Sequence, residues 1–181
     1  MLSPTVRRTY APRGRTPIQR CWSCHGRVSA ISAITVSPLR RRPGLHFRLL
    51  PDNRGAKAAD TVAFLEDLRR RLRGPMTIVW DRSVIHDHSR AVRAWLNRHR
   101  SVVTERFPGY APELNPDEYV WSHTKYAKLC NYAASDLNAL REAVTCHLNA
   151  LHHDKTLLRG FIDHAHLIWD MRKSHWKRRN Q

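Results

Sequence analysis

Two short runs of β-branched and apolar residues lie in the first third of the chain. Residues 27–38 are rich in Ile, Val and Ser and end at a proline, which predicts a strand. Residues 45–50 form a second apolar run. Between the two runs lie residues 40–44, which are three arginines followed by Pro-Gly. This pattern predicts two strands joined by a hairpin loop.

After the hairpin, the apolar residues have the spacing of a helix. Apolar side chains recur at the spacing of one helix face over residues 57–73, and a Gly-Pro pair then ends the helix. The inward positions are Val62, Leu65, Leu68 and Leu72. The same criteria predict helices over residues 89–99, 117–128, 137–151 and 154–166, with Ser89 and either Ser135 or Asp136 as helix caps.

Two further strands separate the helices. Residues 76–80 form a short apolar run typical of a buried strand, and residues 102–107 predict the next strand. A helix between two strands requires a crossover connection, which favours parallel pairing. The order of elements therefore predicts an α/β domain with a mixed sheet flanked by helices.

The charge of the chain is far from neutral. Lys and Arg number 32 against 15 Asp and Glu, which gives a formal net charge of +17. No acidic residue precedes Asp52, and residues 172–179 form a second basic cluster. Such a field favours a polyanionic partner. Composition alone leaves nucleic acid, the ribosome and an anionic membrane surface open.

The chain carries no signal for membrane insertion or export. No apolar run approaches the ~20 residues of a transmembrane helix. The N-terminus lacks the apolar centre of a signal peptide. We therefore predict a protein of the cytosol, associated with the nucleoid and without a membrane partner.

Cysteines and histidines give only weak indications of metal binding. Cys21, Cys24 and His25 have the spacing of a partial zinc knuckle, but a zinc site usually needs about four ligands. We read the four cysteines as reduced and mostly structural, and leave the knuckle open. The histidine pairs at 152–153 and 164–166 are predicted to be surface helix residues.

Two carboxylates occupy positions suited to metal-assisted phosphodiester chemistry. Asp81 ends a strand, where an open α/β sheet places its ligands. Glu118 lies in the first turn of a helix, whose positive dipole end favours an anion. Each position also has an ordinary explanation, since Asp81 could organise a turn and Glu118 could be an exposed helix-start residue. The neighbouring Asp117 is predicted to cap the helix.

The joint pattern around these carboxylates resembles that of the DDE-type transposases, in the bacterial insertion-sequence branch of the mariner-like superfamily. Residues 108–121 match the family pattern Pro-x-Tyr-x-Pro-x-Leu-Asn-Pro-x-Glu-x-x-Trp in full. Asp81 is followed five positions later by His86, as in the family, although Arg82 replaces a common Asn. Residues 6–17 resemble the family segment Arg-x-Thr-Trp-Ala-Pro-x-Gly-x-Thr-Pro.

The resemblance implies a fold and a function. It implies a ribonuclease H-like mixed sheet in which Asp81 and Glu118 bind Mg²⁺ or Mn²⁺ in a two-ion site. Arg82, His86 and Asn115 are expected to contact DNA or to support the metal ligands. The implied activity is endonucleolytic cleavage and strand transfer on double-stranded DNA, at transposon ends and target, by a homo-oligomer or a mixed oligomer.

The first acidic residue of the family pattern has no counterpart in this chain. Counting back about ten residues from the segment at 6–17 passes the start of the sequence. We therefore expect a truncated domain that lacks its first strand and is inactive alone. The expected divisions are a basic arm (residues 1–20), the incomplete catalytic domain (21–170) and a basic tail (171–181).

Two other functions remain open at this stage. One is a catalytically inactive DNA-binding remnant that modulates a full-length transposase. The other is a basic ribosome-associated protein, which the motif at residues 108–121 argues against. Within that motif, Tyr110 and Trp121 are expected to pack the loop rather than contact DNA.

Overall fold

The computed structural model describes residues 5–16, 18, 26–51, 53–81, 83, 85 and 88–166. Several sequence predictions fall on other residues and so lie outside the described part of the chain. They are the knuckle of Cys21, Cys24 and His25, the basic tail at 171–181, and the site residues Arg82 and His86.

The predicted hairpin is present. Strand β1 (Ala30–Val36) pairs antiparallel with strand β2 (Pro43–Leu49), so that Ala30 lies opposite Leu49 and Val36 lies opposite Pro43. The connecting turn includes Arg41 in the left-handed region, at φ 47. The β-branched run of β1 and the apolar run of β2 therefore pair as predicted, with Pro43 and Gly44 inside β2 rather than in the turn.

The remaining described strands form a separate parallel pair. Strand β3 (Met76–Trp80) pairs with strand β4 (Val102–Arg106), with Met76 opposite Val102. The crossover between them contains helix α2 (Arg90–Arg98). No described strand bridges the two pairs, so the predicted mixed sheet takes the form of two two-stranded sheets within the part of the chain described.

Five α-helices are described, each close to its predicted range. They are α1 (Ala58–Leu72), α2 as given above, α3 (Pro116–His123), α4 (Leu137–His153) and α5 (Lys155–His164). Short 3₁₀ (Pro112–Leu114) and π-helical (Thr124–Lys128) segments flank α3. No helix in these ranges is long and apolar enough to cross a membrane.

Side-chain caps fix where several helices begin. The side chain of Ser89 accepts the backbone N–H of Val92 at the start of α2. Asp136 and Asp154 do the same for the third residue of α4 and of α5. Each cap satisfies a backbone donor that has no partner inside its helix. The prediction of Ser89 as a cap is confirmed, and of the two candidates for α4, Asp136 is the cap.

The hairpin and the three C-terminal helices share one core, and we call this part the hairpin region. It consists of β1, β2, α3, α4 and α5. Its fully buried side chains come from one strand and all three helices. They are Leu45, Val120, Val144, Leu148, Leu151 and Leu158.

The parallel pair and the two other helices share a second, smaller core, and we call this part the parallel region. It consists of α1, β3, α2 and β4, and its centre is formed by Leu65, Val92, Trp95 and Val102. Glu66 of α1 connects this helix to α2, since its carboxylate accepts a hydrogen bond from Trp95 Nε1 at 3.1 Å. The same carboxylate accepts a bond from Arg69 Nη2, also on α1, at 2.8 Å.

Two burial predictions in the parallel region are wrong. Residues 76–80 were expected to be buried throughout, but Val79 is 37% exposed and every second residue of β3 faces solvent. Leu72, predicted to face inward on α1, is 39% exposed. Neither residue packs against the second core, whose buried centre has only four side chains.

The N-terminal arm contacts the chain beyond the π-helical segment. Thr5 forms a parallel bridge with Cys130, and its carbonyl accepts the backbone N–H of Asn131 at 2.9 Å. Arg7 exchanges bonds with the Asn131 side chain and donates to the Tyr126 carbonyl at 2.8 Å. From Val6 to Thr16 the arm is exposed.

Candidate active site

Local sequence sets the position of Glu118 at the start of α3. The side chain of Asn115 accepts the backbone N–H of Asp117 at 3.1 Å, and Pro116 occupies the first helical position. Pro is favoured there because its missing N–H would have no partner. Glu118 is exposed in this first turn, where the helix dipole favours a negative charge.

Asp117 contacts the hairpin, whereas Glu118 is exposed. Its Oδ2 accepts Ser32 Oγ of β1 at 2.6 Å and Trp121 Nε1 at 3.2 Å, and the Trp121 Nε1 also reaches Ser32 Oγ at 2.9 Å. The predicted role of Asp117 as helix cap is therefore wrong. Asn115 is the cap, and Asp117 instead connects the helix to the hairpin.

Burial dominates the electrostatics of Asp117. Its Oδ1 is buried and has no hydrogen-bond partner among the described residues. Burial raises the pKa of Asp117 to about 6, although the hydrogen bonds from Ser32 and Trp121 oppose this shift. The negative charge of Glu118 raises the pKa further. Asp117 thus holds the first turn of α3 against β1 and leaves Glu118 free to face solvent.

The aromatic residues of the motif divide between packing and exposure. Trp121 packs against the core of the hairpin region, which confirms the prediction for that residue. Tyr110 is fully exposed and has a left-handed φ of 57 at the tip of the loop, so the prediction that it packs the loop is wrong. The 3₁₀ turn between them is instead held by the Tyr119 hydroxyl, which donates to the Glu113 carbonyl at 3.0 Å.

Asp81 lies directly after β3, as the sequence predicts. The backbone N–H of Phe107 donates to the Trp80 carbonyl at 2.9 Å, so pairing with the β4 side continues to the last residue of β3. Asp81 is exposed there, and its Oδ1 accepts the backbone N–H of Ser83 at 3.0 Å. The carboxylate is therefore oriented by the turn that follows the strand.

Asp81 and Glu118 belong to different regions of the molecule. Asp81 ends a strand of the parallel region, and Glu118 begins a helix of the hairpin region. Throughout the described ranges, no three or more His, Cys, Asp or Glu side chains form a group that could hold a metal ion. The two carboxylates offer the oxygen ligands that Mg²⁺ prefers, but not the number that a two-ion site requires.

Sequence reasoning missed the link between Asp117, Ser32 and Trp121. A signal was present, because residues four apart on a helix share a face, and Asp117 and Trp121 have this spacing. Ser32 could not be added from sequence, since its contact with Asp117 joins residues 85 positions apart.

Among the described histidines, some ring nitrogens have hydrogen-bond partners and others have none. His152 was predicted to be a surface residue, but its Nδ1 lies 2.6 Å from the Leu45 carbonyl, so the ring is half-buried against the hairpin. His153 and His164 are exposed, as predicted. His123 and His147, by contrast, each have one buried ring nitrogen without a partner in the part of the chain that the structure describes.

Comparison with solved structures shows a likeness in fold. The structure titled "Mos1 transposase paired-end complex with left transposon end" shares 15% identity with this chain at a TM-score of 0.58, covering 88% of this chain and 47% of that one. "Crystal structure of the Mos1 Strand Transfer Complex" gives 14% and 0.50, with 92% and 52% covered. This likeness confirms the predicted ribonuclease H-like α/β class, and the chain spans about half the length of each structure.

Comparison at the level of sequence gives one match. Residues 2–141 match the family model described as DDE superfamily endonuclease. This range includes both Asp81 and the whole motif at residues 108–121. No curated protein matches the chain.

Proposed function

This chain belongs to the DDE superfamily endonuclease family, and from that premise we propose that it is the catalytic domain of a DNA transposase of the bacterial insertion-sequence type. The observation that carries the proposal is the exposed Glu118 at a helix start, held outward by the buried Asp117, within a motif that matches the family in full. Asp81, exposed at a strand end, supplies the second carboxylate.

We propose that Asp81 and Glu118 are ligands for divalent cations, with Mg²⁺ or Mn²⁺ as the expected ions. Members of this family generally use divalent metal ions, which supply charge neutralisation at the attacking and leaving oxygens of a phosphodiester. The protein's own part is to orient the two carboxylates. Ser83 does so for Asp81 through its backbone N–H, and the cap at Asn115 does so for Glu118 by fixing the first turn.

Double-stranded DNA is the proposed partner. The titles of the two Mos1 structures name a transposon end and a strand-transfer complex. In this chain, a formal charge of +17 and an exposed arm with Arg7, Arg8, Arg13 and Arg15 support the same partner. We expect binding that is largely independent of sequence and strongly weakened by salt, because neutralised phosphates release counterions.

A second candidate function is DNA binding without catalysis, in a mixed oligomer with a longer transposase. The observation that favours it is the shortage of ligands, since no group of three metal-binding side chains occurs among the residues described. Two carboxylates balance only half the charge of two divalent ions. On this account the isolated chain binds DNA but does not cut it.

One experiment separates these candidates. Cleavage of duplex DNA is measured with Mg²⁺ and with Mn²⁺ for the wild type, Asp81→Asn, Glu118→Gln and the control Glu113→Gln. Glu113 is an exposed carboxylate in the same loop, so its substitution changes the charge equally. The catalytic proposal expects cleavage that falls by about 100-fold or more in the first two variants and is unchanged in the control, since even outer-shell substitutions cost 10–100-fold.

The remaining outcomes have defined meanings. Metal-dependent cleavage that persists in both Asp81→Asn and Glu118→Gln would contradict the assignment of these ligands. Salt-sensitive DNA binding with no cleavage in either metal would support the second candidate. Absence of both binding and cleavage would contradict each of them.

The salt dependence of binding offers a separate measurement. Removal of residues 172–181 deletes five Lys and Arg residues, so we expect a shallower slope of log affinity against log salt. The matched control replaces the exposed residues Glu113 and Glu142 with Gln, which changes charge without removing a cation. Affinity that does not change between low and moderate salt would contradict the proposed DNA partner.

A further inference from the structure

Two histidine rings lie side by side within the hairpin region. His123 is the last residue of α3, and His147 lies in the middle of α4. Their ring centroids are 5.3 Å apart, with an angle of 35° between the ring planes. Phe161 of α5 packs against His123 with a centroid separation of 5.8 Å. All three C-terminal helices therefore contribute to this aromatic cluster.

One nitrogen of each ring is buried, and no residue in the described ranges pairs with it. The atoms are Nδ1 of His123 and Nε2 of His147. A buried polar atom left unpaired is costly, and buried polar groups in folded proteins are rarely left so. The half-buried rings of His99 and His152 illustrate the usual arrangement, because each has its Nδ1 within 2.8 Å of a backbone carbonyl oxygen. The two nitrogens are therefore candidates for a bound ligand.

We propose that His123 and His147 bind one transition-metal cation of the Zn²⁺ type between α3 and α4. The geometry of the pair supports this. A Zn–N bond of about 2.0–2.1 Å places a ring centroid about 3.2 Å from the metal, so two ligands at a tetrahedral angle have centroids about 5.2 Å apart. The observed centroid separation of 5.3 Å matches this value.

The protonation state of the pair also suits a metal. Burial lowers the pKa of both rings, and the positive charge of Lys128 lowers both further. A positive charge on His123 also lowers the pKa of His147. The pair is therefore neutral near pH 7, and neutral imidazole is the form that binds metals.

The chemistry of this pair selects a different ion from the carboxylates. Imidazole nitrogen suits Zn²⁺, Ni²⁺, Co²⁺ and Cu²⁺, whereas Mg²⁺ takes oxygen ligands. Asp154, which caps α5, is the negative group that acts on His123, and it offsets part of the unfavourable charge of Lys128. With two protein ligands, the site is moderate in affinity. Binding would connect α3, which carries Glu118, to α4.

The test measures thermal unfolding of the full chain at neutral pH, with increasing ZnCl₂ and with MgCl₂ as the ion control. At a zinc concentration 100-fold above the dissociation constant, we expect a rise in Tm of about 5–10 °C. His147→Gln and His123→Gln should abolish this rise. The exposed residues His153 and His164 provide matched controls, and His153→Gln and His164→Gln should keep it.

A second measurement does not depend on the variants folding well. Co²⁺ added to the wild type should give a visible absorption band that Zn²⁺ displaces with one equivalent, and Glu118→Gln should leave this band unchanged. The proposal is overturned if zinc gives no rise in Tm, if His147→Gln retains the full rise, or if the rise is lost in the His153 and His164 controls. Because neither readout involves DNA or Mg²⁺, this result is independent of the proposed transposase function.

Discussion

The hairpin region and the parallel region use similar elements but bury them to different extents. In the hairpin region three helices surround an antiparallel pair, and Leu45, Leu148 and Leu158 are at most 1% exposed. In the parallel region two helices cover one face of β3 and β4, while Val103 on the other face is 48% exposed. Parallel strands are usually covered on both faces. The Glu118 side of the candidate site therefore rests on a more deeply buried core than the Asp81 side.

The largest expected effect tests this difference in packing directly. Leu148→Ala removes a fully buried side chain from the hairpin region and should lower the free energy of unfolding by about 2–5 kcal/mol. Val103→Ala in the parallel region should cost less than about 1 kcal/mol, because half of its surface is already in water. Urea denaturation of both variants checks the comparison, and equal losses would show that the two regions are equally well packed.

The next effect concerns the polar link inside the hairpin region. Ser32→Ala removes the donor to Asp117 Oδ2 and the acceptor of Trp121 Nε1, so we expect a loss of about 1–3 kcal/mol. Ser122→Ala is the control. Ser122 is exposed on α3, the helix that carries Asp117 and Trp121, so this substitution should be close to neutral. A neutral Ser32→Ala in chemical denaturation would mean that α3 does not depend on this contact.

Acid should weaken the parallel region through Glu66. Hydrogen bonds from Arg69 and Trp95 lower the pKa of Glu66 to about 2. Since the folded pKa is below the unfolded value, its stabilisation is present above about pH 4.5 and is lost as the pH falls through the folded pKa. Glu66→Gln should therefore reduce the pH dependence of stability between pH 4.5 and 2, measured by urea unfolding at several pH values.

The variant Glu142→Gln is the charge-matched control for that series, because Glu142 is exposed on α4 of the hairpin region. A decrease in acid sensitivity that is equal in the two variants would assign the effect to net charge rather than to the contacts of Glu66.

The smallest effect concerns an ion pair that connects the two regions. Arg48 of β2 contacts Asp67 of α1 at 2.5 Å, with side chains 39% and 34% exposed. Pairs exposed to this extent contribute little, so a double-mutant cycle with Arg48→Gln and Asp67→Asn should give a coupling of about 0.2–1 kcal/mol. A coupling well above this range would mean that the two regions are held together more tightly than their separate cores indicate.

Local signals in the sequence predicted most of the elements, and contacts between distant residues decided the rest. Ser89 and Asp136 mark helix starts because a cap acts within three residues of itself. The exposure of Val79 depends on which elements cover β3, and no local sequence pattern specifies them. Glu118 was found because Pro116 and the motif fix a helix start, whereas the inward position of Asp117 depends on a serine in β1. Asp81 and Glu118 lie in different regions, so their joint role as metal ligands stays a prediction.

The bridge between Thr5 and Cys130 has a consequence for the order in which the protein forms. Arg7 and its partner Asn131 are 124 positions apart, so the arm of a nascent chain stays unpaired until Asn131 has been translated. The hairpin from Ala30 to Leu49, by contrast, needs only its own neighbours to pair. During synthesis the basic arm is therefore open to any polyanion in its surroundings, well before the segment that receives it exists.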